Sequence, residues 1–220
     1  MIAISRFLRL APAFAAAAFL ASCGVNTIPT QDEQVKASWA EVQNQYQRRA
    51  DLIPNLVNTV KGYAAQEKDV LTAVTEARAS ATQVKVDAST ITDPAQFQQF
   101  QQSQDRLSGA LGRLMLIQEA YPDLKSNQNF LALQSQLEGT ENRIAISRRD
   151  YNQSAQVYNT TLRTFPQVIW AKTFYSGQKP AQLFQAAASA QSAPTVSFDA
   201  PAAPAVAAPT PAPTTAPATQ

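Results

Sequence analysis

Histidine is absent from this 220-residue chain and cysteine occurs once, which excludes the most familiar catalytic and metal centres. Zinc sites need several Cys or His ligands, and Ser–His–Asp or Cys–His centres need an imidazole. A disulfide within the chain needs two thiols. Only chemistry based on carboxylates or lysines remains. Nothing in the sequence places two carboxylates close together, so we expect no metal, no cofactor and no enzymatic activity.

A large net charge is also lacking, since the sequence has 18 basic and 16 acidic residues. Arg6 and Arg9 belong to the N-terminal segment discussed below, and the rest of the chain carries 16 residues of each sign. This balance predicts neither a nucleic-acid-binding surface nor a polybasic patch for anionic lipid. Glycine is scarce, with six residues, while alanine and glutamine are frequent, a composition that favours helix over sheet.

Residues 1–22 have the features of a signal peptide for export. Arg6 and Arg9 precede an apolar run from Leu10 to Ala21, which is too short for a typical membrane span. The run ends in LASCG at residues 20–24, which resembles a bacterial lipobox. The resemblance implies cleavage before Cys23, a diacylglycerol on its sulfur and an acyl chain on the new amino terminus, because stable anchoring needs more than one chain.

An uncleaved membrane helix with a buried cysteine is the alternative reading of this segment. Under the lipoprotein reading the protein is anchored in the cell envelope, on the periplasmic face of a Gram-negative cell. Gly24 follows the cysteine where an aspartate would indicate retention in the inner membrane, so the outer membrane is favoured there. Residues 23–30 would then form the lipidated cysteine and a short linker.

From residue 31 onwards the chain has helical periodicity. Apolar residues recur at spacings of three and four from Val35 to Ala81. Pro54 lies inside this pattern, so we predict a kink or break near Asp51, with Asp51 capping the second segment. Residues 84–92 are predicted to form a loop. Asp93 and Pro94 then provide an N-cap and first residue for a helix that ends at Pro122.

The third long helix has large apolar residues one heptad apart and mostly small residues between them, which predicts close approach of a neighbouring helix. The large residues are Phe130, Leu137, Ile144, Tyr151, Tyr158 and Phe165, and the others are Leu133, Thr140, Ser147, Ser154 and Thr161. Short helices are predicted near residues 166–175 and 180–191. Trp39 and Trp170, near segment ends, are predicted to lie at an interface, and residues 199–220, rich in Ala, Pro and Thr, to form a disordered tail.

Long amphipathic helices with short connections must pack lengthwise and antiparallel. The predicted fold is all-α, an elongated antiparallel up-and-down bundle of three to four long helices over residues 31–198.

Several sequence stretches over residues 31–198 resemble the LemA family. They are RRADLIPNLV (48–57), VKGYA (60–64), EAR (76–78), EAYPDLK (119–125), TENRIA (140–145), RRDYN (148–152) and RTFP (163–166). The resemblance implies an α-helical envelope protein with most of its mass outside the cytoplasmic membrane. It implies no enzyme activity, because the family has no agreed one. Many members carry an N-terminal membrane helix in place of the lipobox, and often a histidine where this chain has Gln66.

The charged residues of these motifs are the candidate functional residues: Arg48, Arg49, Asp51, Glu67, Glu76, Arg78, Glu119, Glu141, Arg143, Arg148, Arg149 and Asp150. Unpaired charges beside an apolar stripe pair between helices, where they set the register, or form a polar groove for a partner. Glu67 falls on the stripe between Tyr63 and Val70 and would need an arginine or hydroxyl partner if buried. Asn152 and Asn159, one heptad apart, would bond across the bundle or face water.

Three functional hypotheses follow from these observations. The first is a non-enzymatic, membrane-anchored scaffold or protein-interaction module with an envelope protein as its partner. The second is a carboxylate-dependent enzyme or metal-binding factor. The third is a protein that binds or remodels lipid through an amphipathic segment.

Overall fold

Six α-helices make up most of the computed structural model, which describes residues 24–84, 87 and 89–185. They are α1 (Thr27–Tyr63), α2 (Lys68–Gln83), α3 (Pro94–Ile117), α4 (Pro122–Lys125), α5 (Gln128–Thr161) and α6 (Gln167–Thr173), with a 3₁₀ turn at Gln118–Ala120. The predicted all-α class is confirmed. Residues 1–22, Cys23 and the tail 199–220 lie outside the described residues, as do residues 186–198 of the predicted bundle.

α1 is a single helix of 37 residues that continues through Pro54. Of the kink or break predicted near Asp51, the break is wrong. The predicted linker up to residue 30 is also wrong, since the helix begins at Thr27. Pro54 lies on the exposed side of α1, while Ile53, Leu56 and Val60 stay buried on the other. An unbroken helix thus buries the same apolar face on both sides of the proline, and the chain breaks instead at residues 64–67, between α1 and α2.

The described residues up to 184 belong to one compact unit. α1 packs closely along α5, and α2 along α3. The first half of α1 shares a hydrophobic cluster with the second half of α5, so these two helices are antiparallel. At 1.5 Å per residue α1 is roughly 55 Å long.

The core consists of two hydrophobic clusters along the bundle. One contains Ile53, Leu56, Val74, Leu107, Leu114 and Phe130, from all four of α1, α2, α3 and α5. The other contains Val35, Trp39, Phe97, Phe100, Tyr151 and Tyr158, together with Ile91, Ala181 and Phe184. Because α2 is short, residues outside the helices complete the second cluster.

Small residues on α5 are buried or contact α1, where the sequence predicted close approach of a neighbouring helix. Thr140 and Ser147 are buried, and Ser154 Oγ lies 2.9 Å from Ser38 Oγ. Short side chains at these positions let the two backbones approach closely.

Three predictions for the remaining elements have different outcomes. The helix near 166–175 is confirmed as α6, whereas the helix near 180–191 is wrong for its described part, since residues 180–185 are not helical. Phe165 lies beyond α5 and is exposed, and Trp39 is buried in the core rather than interfacial. None of the described helices combines the length and apolar composition needed to cross a membrane.

Candidate functional site

Arg49 is the most deeply buried charged side chain described, with 1% of its surface exposed. Its Nη1 atom donates hydrogen bonds to Glu141 Oε1 at 2.7 Å and to Ser108 Oγ at 2.8 Å. Its Nη2 atom donates to Gln104 Oε1 at 2.7 Å. One guanidinium on α1 therefore binds both α3 and α5, which fixes the positions of three helices relative to one another.

This polar group lies between the two hydrophobic clusters. Gln104 also donates from Nε2 to the carbonyl of Ala81, which includes α2 in the network. The side chain of Glu141 remains 42% exposed, so its negative charge keeps contact with water while it compensates Arg49. Tyr46 stacks on Arg49, with the guanidinium carbon 5.0 Å from the ring centre, and burial raises the pKa of its hydroxyl.

Arg78 supplies a hydrogen bond that Pro54 cannot make. A proline has no N–H, so the carbonyl four residues earlier, that of Ala50, loses its partner within the helix. Arg78 Nε, on α2, donates to this carbonyl at 2.8 Å. Because Ala50 is buried, the carbonyl has little access to water, and Arg78 both satisfies it and joins α2 to α1.

A double-mutant cycle between these two positions tests this role. Arg78→Ala should lower the free energy of unfolding by about 1–2 kcal/mol, because a buried carbonyl is left unpaired. In a Pro54→Ala background the restored N–H satisfies that carbonyl, and the same change should cost under about 0.5 kcal/mol. Urea denaturation of the four proteins gives both values, with exposed Glu76→Ala as the control. An equal cost in both backgrounds would contradict the role.

Glu67 lies in the turn between α1 and α2 rather than on a helical stripe. It is partly buried, and its Oε1 accepts a hydrogen bond from the Tyr121 hydroxyl at 2.9 Å. Gln66 donates to the same hydroxyl at 3.1 Å. The hydroxyl partner expected for this carboxylate is therefore present, and it ties the first interhelical turn to the segment between α3 and α4.

The remaining charged candidates do not converge. Glu119 pairs with Lys125 at 2.7 Å, Arg149 contacts its neighbour Asp150 at 3.4 Å, and Asp51 accepts from Gln47. Arg48, Glu76 and Arg143 are exposed on α1, α2 and α5. Within residues 24–84, 87 and 89–185, no three Asp, Glu, His or Cys side chains are grouped so that they could hold a metal ion.

Residues 178–184, called the strap below, lie along the second half of α5 and are held by two asparagines. Asn152 exchanges two hydrogen bonds with the backbone of Phe184, at 2.9 and 3.0 Å. Asn159 does the same with Ala181, both at 2.8 Å. One heptad of helix rises about 10 Å, which three residues of extended chain also span. The asparagine spacing therefore matches an extended strap that runs antiparallel to α5.

Tyrosines adjacent to the asparagines add to this attachment. Tyr151 donates to the carbonyl of Gln182 at 2.7 Å, and Tyr158 to Gln178 Oε1 at 2.8 Å. Burial raises the pKa of Tyr151 above its ordinary value. Burial, with the nearby charge of Asp32, raises that of Tyr158 to about 12. Both hydroxyls are therefore protonated donors at neutral pH.

Phe184 anchors the strap in an aromatic cluster. Its ring centre lies 4.9 Å from that of Phe97, 5.5 Å from Tyr151 and 5.9 Å from Trp39. The guanidinium carbon of Arg148 lies 4.5 Å from the centre of the same ring, a cation–π geometry. Arg148, one of the candidate residues, thus helps to hold the strap.

Comparison with known proteins matches residues 38–198 to the LemA family. This is most of the chain and includes α2 to α6 and the larger part of α1, from residue 38 onwards. The chain belongs to the LemA family.

Relatives within and near the LemA family are similar over much of the chain. The magnetosome protein MamQ 2 of Paramagnetospirillum magneticum is 28% identical over 177 residues, which is 73% of this chain and 64% of that protein. Protein LemA of Metamycoplasma hominis is 24% identical over 140 residues, 64% of this chain and 60% of its own. MamQ of Magnetospirillum gryphiswaldense is 25% identical over 157 residues, with 64% and 58% covered. The chain thus spans less than two thirds of the length of these relatives.

The LemA family match includes the polar residues that the structure brings together. Of the twelve charged candidates, Arg49 and Glu141 belong to one hydrogen-bonded group around the buried Arg49 guanidinium. The other members of this group, Gln104 and Ser108, were not predicted as functional. Gln104 was detectable as a polar interruption of the apolar stripe of α3. The strap had no signal of its own, although the Tyr-Asn pair repeated one heptad apart on α5 pointed to a feature there.

Proposed function

We propose that this LemA-family protein is a non-enzymatic, lipid-anchored module of the cell envelope whose helical bundle binds or braces another envelope protein. The observation that carries the proposal is the set of hydrogen bonds made by Arg49. Arg49 has the most deeply buried charge of the family motifs, and its contacts with Glu141, Gln104 and Ser108 join helices to one another. This favours a rigid display body over a reaction centre.

The attachment to a membrane rests on Cys23 and the lipobox around it. Cys23 directly precedes Gly24, where the described chain begins just before α1. A lipid on Cys23 would therefore hold one end of the bundle at the membrane surface, and α1 and α5 would carry the opposite end away from it. The relatives named as magnetosome proteins are assigned by that name to a cellular structure and not to a reaction, which supports a structural role.

The outer face of α5 offers a surface suited to a protein partner. Ile146 and Val157 are about half exposed and lie about 20° apart around the helix, at 100° per residue. Charged Arg143, Arg149 and Asp150 lie near them along α5 and are exposed. Apolar residues surrounded by charged ones are typical of specific protein interfaces.

Site-directed photo-cross-linking in intact cells tests the proposed module. A photoreactive residue at Ile146 or at Val157 should give adducts with the same envelope protein, because both positions lie on one face. The same residue in place of exposed Glu76 on α2 should not give that adduct. Cys23→Ser should remove it, because the bundle is no longer presented at the membrane. The absence of any adduct at both α5 positions, or stoichiometric metal in the purified protein, would contradict the proposal.

A further inference from the structure

One end of the bundle exposes large apolar side chains that no described residue covers. This end, called the tip below, consists of residues 24–31 and 162–175. Phe165 is 80% and Phe174 73% exposed, and Ile169 is about half exposed. The segment that carries these side chains is held in place, because its residues Trp170, Ala171 and Tyr175 pack on the second hydrophobic cluster. Several large, exposed apolar residues within a short, packed segment indicate a contact surface.

The tip is also where a lipid anchor would be attached. A Cβ atom at Gly24 would lie 3.7 Å from Gln167 Nε2 and 3.8 Å from Trp170 Nε1. Gly24 therefore lies against α6, and Cys23 is one peptide bond away. Any lipid carried by Cys23 emerges beside the exposed apolar residues of the tip.

Charge at the tip differs from the neutral balance of the rest of the chain. Residues 24–31 and 162–175 contain Arg163 and Lys172 and no acidic residue. The first acidic residues of α1, Asp32 and Glu33, both contact Lys36, at 2.8 and 2.7 Å. The tip is thus basic, a local property that the overall charge balance does not reveal, and it complements the negative surface of a membrane that contains anionic lipid.

We propose that the tip is a membrane-docking surface, in which Phe165, Ile169 and Phe174 enter the interface of an anionic bilayer beside the Cys23 lipid. α6 lies in the plane of the interface with its apolar side chains in the acyl boundary and Arg163 and Lys172 at the headgroups. The inference extends the proposed anchoring: the lipid retains the protein, and the tip fixes its orientation. α1 and α5 then stand away from the membrane, and the outer face of α5 is presented to partners.

Fluorescent labels at single cysteines test docking in the full, lipidated protein reconstituted into vesicles. Cys23 is the only cysteine of the sequence and is blocked when lipidated, so an introduced cysteine is the only free thiol. Phe165→Cys and Phe174→Cys, made one at a time, carry an environment-sensitive label at the tip. Leu116→Cys, 71% exposed at the opposite end of the bundle, is the matched control.

On vesicles with anionic phosphatidylglycerol, the tip labels should shift to the blue and be quenched by brominated lipid, while the label at position 116 stays unquenched. Arg163→Gln and Lys172→Gln should each lower the ratio of docked to undocked tip about five-fold on these vesicles. Neither change should alter that ratio on neutral vesicles. These results together would support the docking surface.

Flotation and intact mass separate failure of docking from failure of the anchor. If the protein floats with vesicles while its tip labels stay in water, the docking surface is contradicted and the lipid anchor is supported. Quenched tip labels on a protein whose mass shows no lipid support docking and contradict the anchor. A tip label that is blue-shifted but not quenched by brominated lipid means that protein covers the tip, and this too overturns the inference. Protein that does not float contradicts both.

Discussion

Replacing Arg49 with alanine should lower the free energy of unfolding by about 4 kcal/mol. Removing one partner of a buried ion pair typically costs 3–5 kcal/mol, because the groups left behind lose their hydrogen bonds. Here Gln104 is left buried without its guanidinium partner, and a cavity forms between the two hydrophobic clusters. The 42% exposure of Glu141 lets water solvate its carboxylate, which keeps the cost from being larger. Urea denaturation followed by circular dichroism measures it.

Two further variants separate this buried network from a general effect of charge. Arg48→Ala removes the adjacent, exposed arginine and should change stability by no more than about 0.5 kcal/mol. Arg49→Lys keeps the charge but cannot reach Glu141, Ser108 and Gln104 with one planar group, and should lose about 2 kcal/mol. If Arg49→Ala and Arg48→Ala had similar costs, the network would not hold the helices together.

Replacing Phe184 with alanine should destabilise the protein by about 3 kcal/mol, the cost of emptying a buried aromatic position. The ring fills a space between Phe97, Tyr151 and Trp39, where no helix completes the core. The change should also loosen the strap, because the asparagine hydrogen bonds depend on Phe184 to hold the backbone close to α5. Fluorescence of Trp39, 5.9 Å from Phe184, should shift as water enters the cluster.

Leu183→Ala is the matched control for this prediction, since Leu183 is the neighbouring strap residue and is 40% exposed. It should cost under about 1 kcal/mol. Hydrogen exchange provides a second measure: the amides of Ala181 and Phe184, bound by Asn159 and Asn152, should lose protection in Phe184→Ala and keep it in Leu183→Ala. Unchanged protection in Phe184→Ala would show that the asparagines alone hold the strap.

Elements defined by local interactions were predictable from the sequence. Asp93 accepts hydrogen bonds from the amides of Ala95 and Gln96, with Pro94 as the first helical residue, as the residue types indicated. The heptad pattern of α5 and its small residues likewise predicted which face of that helix is buried and that a neighbouring helix approaches closely. These features depend on residues a few positions apart, so the sequence carries their signal directly.

Predictions were wrong where a distant residue changes the local preference. Pro54 was expected to kink or break α1, and the break does not occur, since Arg78, on another helix, satisfies the carbonyl that the proline leaves unpaired. The apolar register from Val60 to Val70 hid the turn at residues 64–67, since a periodic stripe does not record where the chain reverses. Glu67 was placed on a helical stripe for the same reason.

The sequence by itself determined the helical class, the apolar faces, the helix caps and the family. Only the tertiary structure decided that Arg49 joins α1, α3 and α5, and that residues 178–184 form an extended strap, part of which was predicted to be a helix. It also placed α6 against Gly24. The physical reason is that helix signals repeat over three to seven residues, whereas each of these features joins residues far apart in the chain. Each such feature is stabilised by burial and by hydrogen bonds that exist only after the helices have packed.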